Sequence, residues 1–452
     1  MTISENELIT RLRGQLPQLH EDLATLVAVP SISAPGYPAE ELERCAVVVE
    51  DLLRSAGIET LSRLDLPNTP PIVVGHRHVD DDAPTVLMYC HYDVVDVGEL
   101  AEWHTDPFTA VEKDGAIYGR GVADSKSNIL LHIAALRAFG DDLPVNVLIC
   151  LEGQEEVGGL FDTYPAKNPS EFACDAMIIA DAGNFRPGEP TLTVALRGAA
   201  ALTVEVTTLA NPKHSGQFGG AAPDALITLV TALATLHDSD GNVAVPGLLK
   251  TEWEGLGHTD EEFRELAEAL PGVPLFGTGS VAARTWSGPS ISIIGIDCPS
   301  VDESVNAVSS HARARLSMRV APGQSALEAQ EALVAHLEAL RPFGIALTVT
   351  RGEVGDGTSV STNGPAYTAA ESAMADVFGR AAETAGIGGS IPIVSSLASA
   401  VPQAEVILFG TADGFSAIHA PNERILVSEF EAMAEVETLL LYRLAESWGD
   451  HG

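Results

Sequence analysis

Residues 85–93 read TVLMYCHYD, an apolar run that ends in the ligand-type side chains of His91 and Asp93. A continuous apolar stretch of this length is typical of a strand buried on both faces. Similar runs occur at residues 145–151, 176–180 and 406–409. Helical patterns separate these runs and close the chain, at residues 45–56, 127–139, 366–378 and from Ser428 onward. Apolar strands alternating with helices predict an α/β fold with a largely parallel sheet.

Each of the four runs leads into side chains that can bind a metal ion. The first run ends in His91 and Asp93, and the second is followed by Glu152, Glu155 and Glu156. The third run is followed by Asp181, and the fourth leads through a glycine-rich loop to His419. Functional groups in open α/β sheets gather at the carboxyl ends of strands. A lone histidine is more often structural, but four such strand ends indicate a shared site. Two imidazoles and several carboxylates suit a pair of divalent metals and metal-assisted hydrolysis.

Two further features of this site depend on neighbouring residues. Asp93, two positions beyond His91, can hold the second nitrogen of that imidazole and fix its tautomer. The adjacent pair Glu155 and Glu156 suggests divided roles, one carboxylate binding metal and the other accepting a proton from water.

Asp124 allows two interpretations. It lies in GRGVADSK, between a glycine turn and the helix expected from Ser127. A carboxylate there could cap the helix N-terminus. It could also project into the crevice and bridge two metals.

The composition limits the partners of this chain. Its 452 residues include 25 Lys and Arg against 63 Asp and Glu, for a net charge of −38. Such an acidic chain is a poor candidate for binding nucleic acid or an anionic membrane.

No segment approaches the ~20 apolar residues that span a bilayer. The first residues suggest an amphipathic helix and no secretory signal. Five cysteines, an odd number without a CxxC pair, favour a reduced, cytoplasmic protein.

Changes in sequence pattern predict two domains, one of them interrupted. Residues 1–195 and 361–452 have α/β character, whereas residues 196–360 contain strands that alternate apolar and polar residues. Such alternation is typical of strands with one solvated face. We therefore expect a catalytic domain in two parts, interrupted by a smaller α+β domain.

With these residues assembled, the chain resembles the metallopeptidase-20 family of co-catalytic zinc hydrolases. The motifs that carry the resemblance extend over nearly the whole chain, namely VAVPSIS, MYCHYDVVDV, WHTDPF, GRGVADSK, LEGQEEVGG, KHSGQFGG, GGSIP and HAPNE. The resemblance implies a zinc-peptidase-like catalytic domain and a lid or dimerisation domain. The long insertion with KHSGQFGG is most similar to the carnosinase-like dipeptidase branch.

The resemblance also implies roles for individual residues. The metal ligands would be His91, Asp124, Glu156, Asp181 and His419, with Asp124 bridging two ions. Glu155 would be the general base, Asp93 the residue that orients His91, and His214 the residue that stabilises the oxyanion, in dimeric relatives from the partner subunit. The substrate carboxylate would be held by Asn306, Arg319 and Ser390. The sequence departs from the family pattern near Asp181 and Asn306, and these differences concern the substrate pocket and not the metals. Three residues also allow a purely structural interpretation: Arg319 could be a strand-surface residue, Ser390 a turn residue and His214 an exposed loop residue.

The resulting hypothesis is a cytoplasmic hydrolase with two divalent metals that cleaves a dipeptide or related aminoacyl compound. Mixed imidazole and carboxylate ligands favour zinc, with manganese or cobalt as alternatives. An N-acyl-amino-acid amidohydrolase or desuccinylase-like deacylase is the alternative activity. A non-catalytic binding protein that keeps the fold is a more remote one. A homodimer formed through the lid domain is expected, because relatives supply the counterpart of His214 in trans.

Overall fold

A computed structural model describes residues 3–449. The chain divides into two compact units. The first contains the residues up to Val194, Val360–Ala385 and the residues from Pro392 onward, and the second contains Ala195–Ser359 and Gly386–Ile391. None of the helices within residues 3–449 combines the length and the apolarity needed to cross a bilayer.

The regular elements of the described chain are numbered in order. The helices are α1 Glu5–Val27, α2 Ala39–Ser55, α3 Ser127–Phe139, α4 Tyr164–Lys167, α5 Ser215–Phe218, α6 Ala225–Leu233, α7 Asp260–Leu266, α8 Ala326–Ala339, α9 Pro365–Phe378, α10 Pro392–Ala400 and α11 Val427–Gly449. The strands are β1 Thr60–Leu64, β2 Ile72–Arg77, β3 Thr85–His91, β4 Val111–Lys113, β5 Ala116–Tyr118, β6 Asn146–Glu152, β7 Ala176–Ala180, β8 Thr191–Leu196, β9 Gly198–Thr207, β10 Lys213–His214, β11 Ser290–Asp297, β12 Ala307–Val308, β13 His311–Val320, β14 Thr348–Gly355, β15 Thr358–Ser359, β16 Glu383–Ile387, β17 Glu405–Phe409 and β18 Arg424–Leu426.

The first unit is built around a sheet in which the order of strands includes β1-β2-β6-β3-β7-β17-β8. The four central neighbours β6, β3, β7 and β17 run parallel to one another, while β2 is antiparallel to β6. The prediction of an α/β fold with a largely parallel sheet is therefore confirmed. Because parallel neighbours point the same way, their carboxyl ends lie at one edge of the sheet.

Burial explains why the central strands are continuous apolar runs. Every residue of β6 and β7 is buried, so both faces of these strands avoid water. Among the helices, α3 contacts α1 and α11, and α11 contacts α9. Each fully buried leucine or isoleucine in this core contributes ~1.5–3 kcal/mol of transfer free energy.

The second unit contains an antiparallel sheet with the strand order β11-β13-β9-β14. Along β13, buried residues alternate with exposed or half-buried ones. Helices α6 and α8 contact this sheet and share its apolar core. One face of the sheet thus packs on helices, which accounts for the alternation in the sequence.

Candidate metal centre

The side chains with metal-binding groups are positioned by the parallel strands of the first unit. His91 is the last residue of β3, Glu155 and Glu156 lie in a short turn after β6, and Asp181 follows β7 directly. His419 lies in the loop between β17 and β18. The loops after β7 and β17 approach so closely that a Cβ atom at Gly183 or Gly410 would overlap a backbone carbonyl of the other loop.

Asp124 lies at the centre of the cluster. Its Oδ1 atom is 2.9 Å from Nε2 of His91, and its Oδ2 atom is 3.1 Å from Nε2 of His419. The interpretation of Asp124 as a helix cap is wrong, because α3 is preceded by Lys126 and no side chain caps it. The peptide bond between Asp124 and Ser125 is cis. One carboxylate therefore faces both imidazoles, one oxygen toward each.

Two more carboxylates complete two groups of possible metal ligands. Asp181 Oδ1 lies 3.3 Å from Nε2 of His91, and Glu156 Oε2 lies 2.9 Å from Nε2 of His419. Each group offers three ligand atoms within 4.8 Å of one another, and Asp124 belongs to both. The second oxygen of Glu156 is buried and has no hydrogen-bond partner within residues 3–449. An unpaired buried carboxylate oxygen beside an imidazole fits a site for a cation.

Asp93 connects the imidazole of His91 to the turn that carries the glutamates. Nδ1 of His91 lies 3.1 Å from the backbone oxygen of Asp93 and 3.3 Å from its carboxylate. The same carboxylate accepts the backbone N–H groups of Glu155 and Glu156 at 3.1 and 3.2 Å. Asp93 is fully buried, so it fixes the position of His91 relative to both glutamates.

The pKa values of the histidines and of Asp124 reflect their mutual contacts. Burial opposes the charged form of His91, but Asp181, Asp124 and Asp93 together raise its pKa well above the usual value. Hydrogen bonds to Asp124 and Glu156 raise the pKa of His419 to about 10. For Asp124, burial is outweighed by the two histidines, and its pKa is lowered.

The pKa values of the two adjacent glutamates are raised, in contrast to that of Asp124. Burial, followed by the negative charge of Asp181, raises the pKa of Glu155 to about 9. Burial likewise raises the pKa of Glu156 to about 6. Five carboxylates (Asp93, Asp124, Glu155, Glu156 and Asp181) thus surround two imidazoles, an excess of negative charge that divalent cations would neutralise.

Glu155 differs from its neighbours because its side chain makes no hydrogen bond to any residue in the part of the chain that the structure describes. Its backbone N–H is fixed by Asp93, while its carboxylate remains available to a ligand. Glu152, three residues earlier in sequence, is instead the buried last residue of β6 and accepts a hydrogen bond of 2.5 Å from the Tyr89 hydroxyl. The position of Glu152 agrees with its interpretation as a structural residue.

The remaining candidate residues lie in the second unit, where Arg319 and Ser390 contact each other and His214 lies near Asn306 through a neighbouring residue. His214 is exposed in β10, which pairs with β12, and the next residue, Ser215, donates its N–H to the backbone oxygen of Asn306 at 2.9 Å. Arg319 is half-buried on β13, and its Nη1 donates to Ser390 Oγ at 3.3 Å. Arg319 forms no ion pair with a carboxylate in residues 3–449.

Sequence reasoning missed two buried residues that support these groups. The Arg197 guanidinium donates to the backbone oxygen of Gly388 at 2.9 Å, next to Ser390. Burial and the nearby Arg319 lower the pKa of Arg197 to about 10. Glu423, with its side chain 1% exposed, pairs with Arg120 at 2.7 Å. The HAPNE motif contains Glu423, but nothing in its spacing indicates a partner about 300 residues earlier.

Comparison with known proteins places these residues in a family. The model of peptidase family M20/M25/M40 matches residues 87–443. The chain is 36% identical over 441 residues to the cysteinylglycine-S-conjugate dipeptidase of Corynebacterium striatum, covering 94% of this chain and 95% of that protein. It is 30% identical over 451 residues to the Beta-Ala-His dipeptidase of Rattus norvegicus, covering 91% and 90%.

Solved structures show the same fold over almost the entire length. Human carnosine dipeptidase 1 superposes with a TM-score of 0.80 at 26% identity, covering 98% of this chain and 99% of that one. The di-peptidase Dug1p from Saccharomyces cerevisiae superposes with a TM-score of 0.81 at 24% identity, covering 99% of both chains. At that identity the second likeness bears on the fold alone.

Proposed function

Because the chain belongs to peptidase family M20/M25/M40, we propose that it hydrolyses the peptide bond of dipeptides with a pair of divalent metal ions. The observation that carries this proposal is the placement of Asp124, whose two oxygens face His91 and His419 at 2.9 and 3.1 Å. A carboxylate in that position can hold two cations at once. The two relatives described above are both named dipeptidases, which supports the choice of substrate.

The residues that would hold the two ions are those of the two groups that share Asp124. One ion would be bound by His91, Asp124 and Asp181, and the other by Asp124, Glu156 and His419. Mixed nitrogen and oxygen ligands favour zinc, with manganese or cobalt as alternatives. When bound, such cations supply Lewis acidity, which lowers the pKa of water and polarises a carbonyl group.

Glu155 is proposed as the general base. It would accept a proton from the attacking water as the new C–O bond forms, and would then deliver that proton to the leaving amine as the C–N bond of the peptide breaks. Two observations support this role: the Glu155 carboxylate makes no hydrogen bond within residues 3–449, and its backbone N–H is fixed by Asp93. Asp93 is proposed as a positioning residue, because it restrains both the imidazole of His91 and the turn that carries Glu155.

The second unit would bind the substrate. We assign His214 to the developing oxyanion, supplied by the partner subunit of a homodimer, and Asn306, Arg319 and Ser390 to the C-terminal carboxylate. The hydrogen bond between Arg319 and Ser390 supports this assignment, since it places a hydroxyl beside a guanidinium that has no carboxylate partner within residues 3–449. A guanidinium of this kind matches the geometry of a carboxylate.

A homodimer through the second unit is supported by an exposed sheet edge. Strand β11 is an edge strand, and its residues Ile293, Ile294 and Ile296 are 50%, 59% and 41% exposed. Apolar edge strands tend to pair with another chain.

The cytoplasm is proposed as the location of the protein, in keeping with five free cysteines, four of them buried.

The test of this function is hydrolysis by full-length protein stripped of metal with a chelator and reloaded with zinc, manganese or cobalt. The panel contains cysteinylglycine, β-alanyl-histidine and other dipeptides, together with N-acetyl and N-succinyl amino acids. We expect metal-dependent cleavage of dipeptides. Cleavage of the acyl compounds alone would establish the deacylase instead, and no hydrolysis with any metal would indicate a binding protein.

A further inference from the structure

Glu423 is a buried carboxylate to which the proposed chemistry assigns no role. It lies four residues beyond His419, and its side chain is 1% exposed. A buried carboxylate is costly unless its oxygens are hydrogen-bonded. Its partners therefore show what it is for.

In the part of the chain that the structure describes, the hydrogen bonds that Glu423 accepts all come from the segment that carries Asp124. Oε1 accepts the backbone N–H groups of Ala123 at 2.9 Å and Asp124 at 3.1 Å. Oε2 accepts the backbone N–H of Gly121 at 2.9 Å and a hydrogen bond from Nη1 of Arg120 at 2.7 Å. The backbone oxygen of Glu423 accepts the N–H of Gly119 at 3.1 Å. Converging backbone N–H groups form a concave anion site. Here the anion is a side chain of the protein itself, and charge-assisted bonds of this kind are strong.

These contacts join two ligand-bearing segments that are about 300 residues apart in sequence. One segment presents Asp124, whose own N–H is among the donors to Glu423. The other presents His419, whose backbone lies in the left-handed region at φ 62°, as does Asn422 at φ 64°. That region is uncommon for residues other than glycine, and contacts with the surrounding structure stabilise such residues there. Glu423 provides such an attachment at the end of the loop.

The geometry points to Glu423 as a positioning residue of the metal centre, which sets the separation between Asp124 and His419 before any ion binds. This inference rests on the proposed two-metal function. It extends that function to a residue that contacts neither the substrate nor an ion. Its consequence is that the metal affinity depends on a carboxylate outside the ligand set.

The test is metal binding by the full-length Glu423→Gln variant after removal of metal. Glutamine preserves the shape, but it places an amide NH₂ against backbone donors and removes the negative charge that faces Arg120. Titration with Co²⁺, followed by its visible absorption, and with Zn²⁺ against a chromophoric chelator measures both affinities. We expect binding about 10- to 100-fold weaker, with the larger loss at the site of Glu156 and His419, and a changed Co²⁺ spectrum.

A matched control is Glu437→Gln. Glu437 is an equally buried carboxylate on α11, but its partner at 2.6 Å is His132 and not a ligand segment. We expect this variant to lose thermal stability while keeping the metal affinities and the Co²⁺ spectrum of the wild type. Equal losses of affinity in the two variants would mean that Glu423 acts only through general stability, which overturns the inference.

A second variant, Glu423→Asp, allows the same measurement if Glu423→Gln does not fold. Glu423→Asp keeps the charge and retracts the carboxylate by one methylene, so we expect a smaller loss of affinity than in Glu423→Gln. Wild-type affinities and spectrum in whichever of the two variants folds would contradict the inference. The absence of two bound ions in the wild type would instead contradict the proposed function.

Discussion

Glu155 lies beside the ligand Glu156 but makes no side-chain hydrogen bond within residues 3–449, and this difference separates the role of base from that of ligand. We expect Glu155→Gln to keep the metal content of the wild type and to lower kcat by about 10²- to 10⁴-fold, because glutamine cannot accept the proton. Glu156→Gln should lose metal instead. Metal analysis and steady-state kinetics on the two variants test this, and a fully active Glu155→Gln protein would remove Glu155 from the mechanism.

Glu152 gives a pH dependence of stability at the same edge of the sheet. Burial raises its pKa from 4.5 to about 8, so between these pH values the folded state holds a proton that the unfolded state has lost. The contribution of protonated Glu152 to the free energy of unfolding is complete below pH 4.5. It is lost as the pH rises toward 8, by at most about 1.4 kcal/mol per pH unit. Glu152→Gln cannot ionise, and its carbonyl can still accept from Tyr89.

We therefore expect the Tm of Glu152→Gln relative to wild type to rise between pH 5.5 and pH 8, measured by thermal unfolding at saturating metal. A Tm difference that does not change with pH would show that Glu152 is ionised in the folded protein.

Two of the three arginines on strand β13, Arg319 and Arg315, have different environments. Arg319 contacts Ser390, whereas Arg315, four residues earlier, pairs with Glu353 at 2.8 Å on an exposed surface. We expect Arg319→Lys to raise KM for dipeptides about 10-fold or more, because an ammonium cannot bind a carboxylate through two parallel hydrogen bonds, and to change kcat less. Arg315→Lys is the matched control and should behave as wild type. Equal KM values for the two variants would exclude Arg319 from the carboxylate site.

Strand β11 is expected to form the dimer interface. Replacing the exposed Ile294 by lysine places a charge on this edge and should convert a dimer to a monomer in sedimentation experiments. Val354→Lys, on the opposite edge strand β14 and 45% exposed, is the control and should remain dimeric. If His214 acts in trans, the Ile294→Lys monomer loses activity. A fully active monomer would refute that role.

At the scale of the whole molecule, local patterns predicted much of the first unit. The bounds of α3 and β7 match the predicted segments, because every residue of β7 and nearly every residue of α3 is buried and both elements are therefore predominantly apolar. The parallel sheet then places its carboxyl ends at one edge, so the convergence of His91, Asp181 and the two glutamates could be expected from sequence.

The features that escaped prediction depend on contacts between distant segments. A carboxylate before a helix looks the same whether it caps the helix or faces two histidines, so Asp124 was ambiguous. The roles of Glu423 and Arg197 depend on hydrogen bonds to residues far away in sequence, which a local pattern does not indicate. The segment Gly386–Ile391 clusters with the second unit, although it lies within the stretch 361–452 that was expected to form the second part of the catalytic domain.

The most direct test of the central claim is anomalous diffraction above the zinc absorption edge from crystals of the zinc-loaded protein. The account predicts two peaks per chain, both within coordination distance of Asp124, one also contacting His91 and Asp181 and the other Glu156 and His419. A single peak, or peaks that do not share Asp124, would contradict the proposal of a two-metal peptidase.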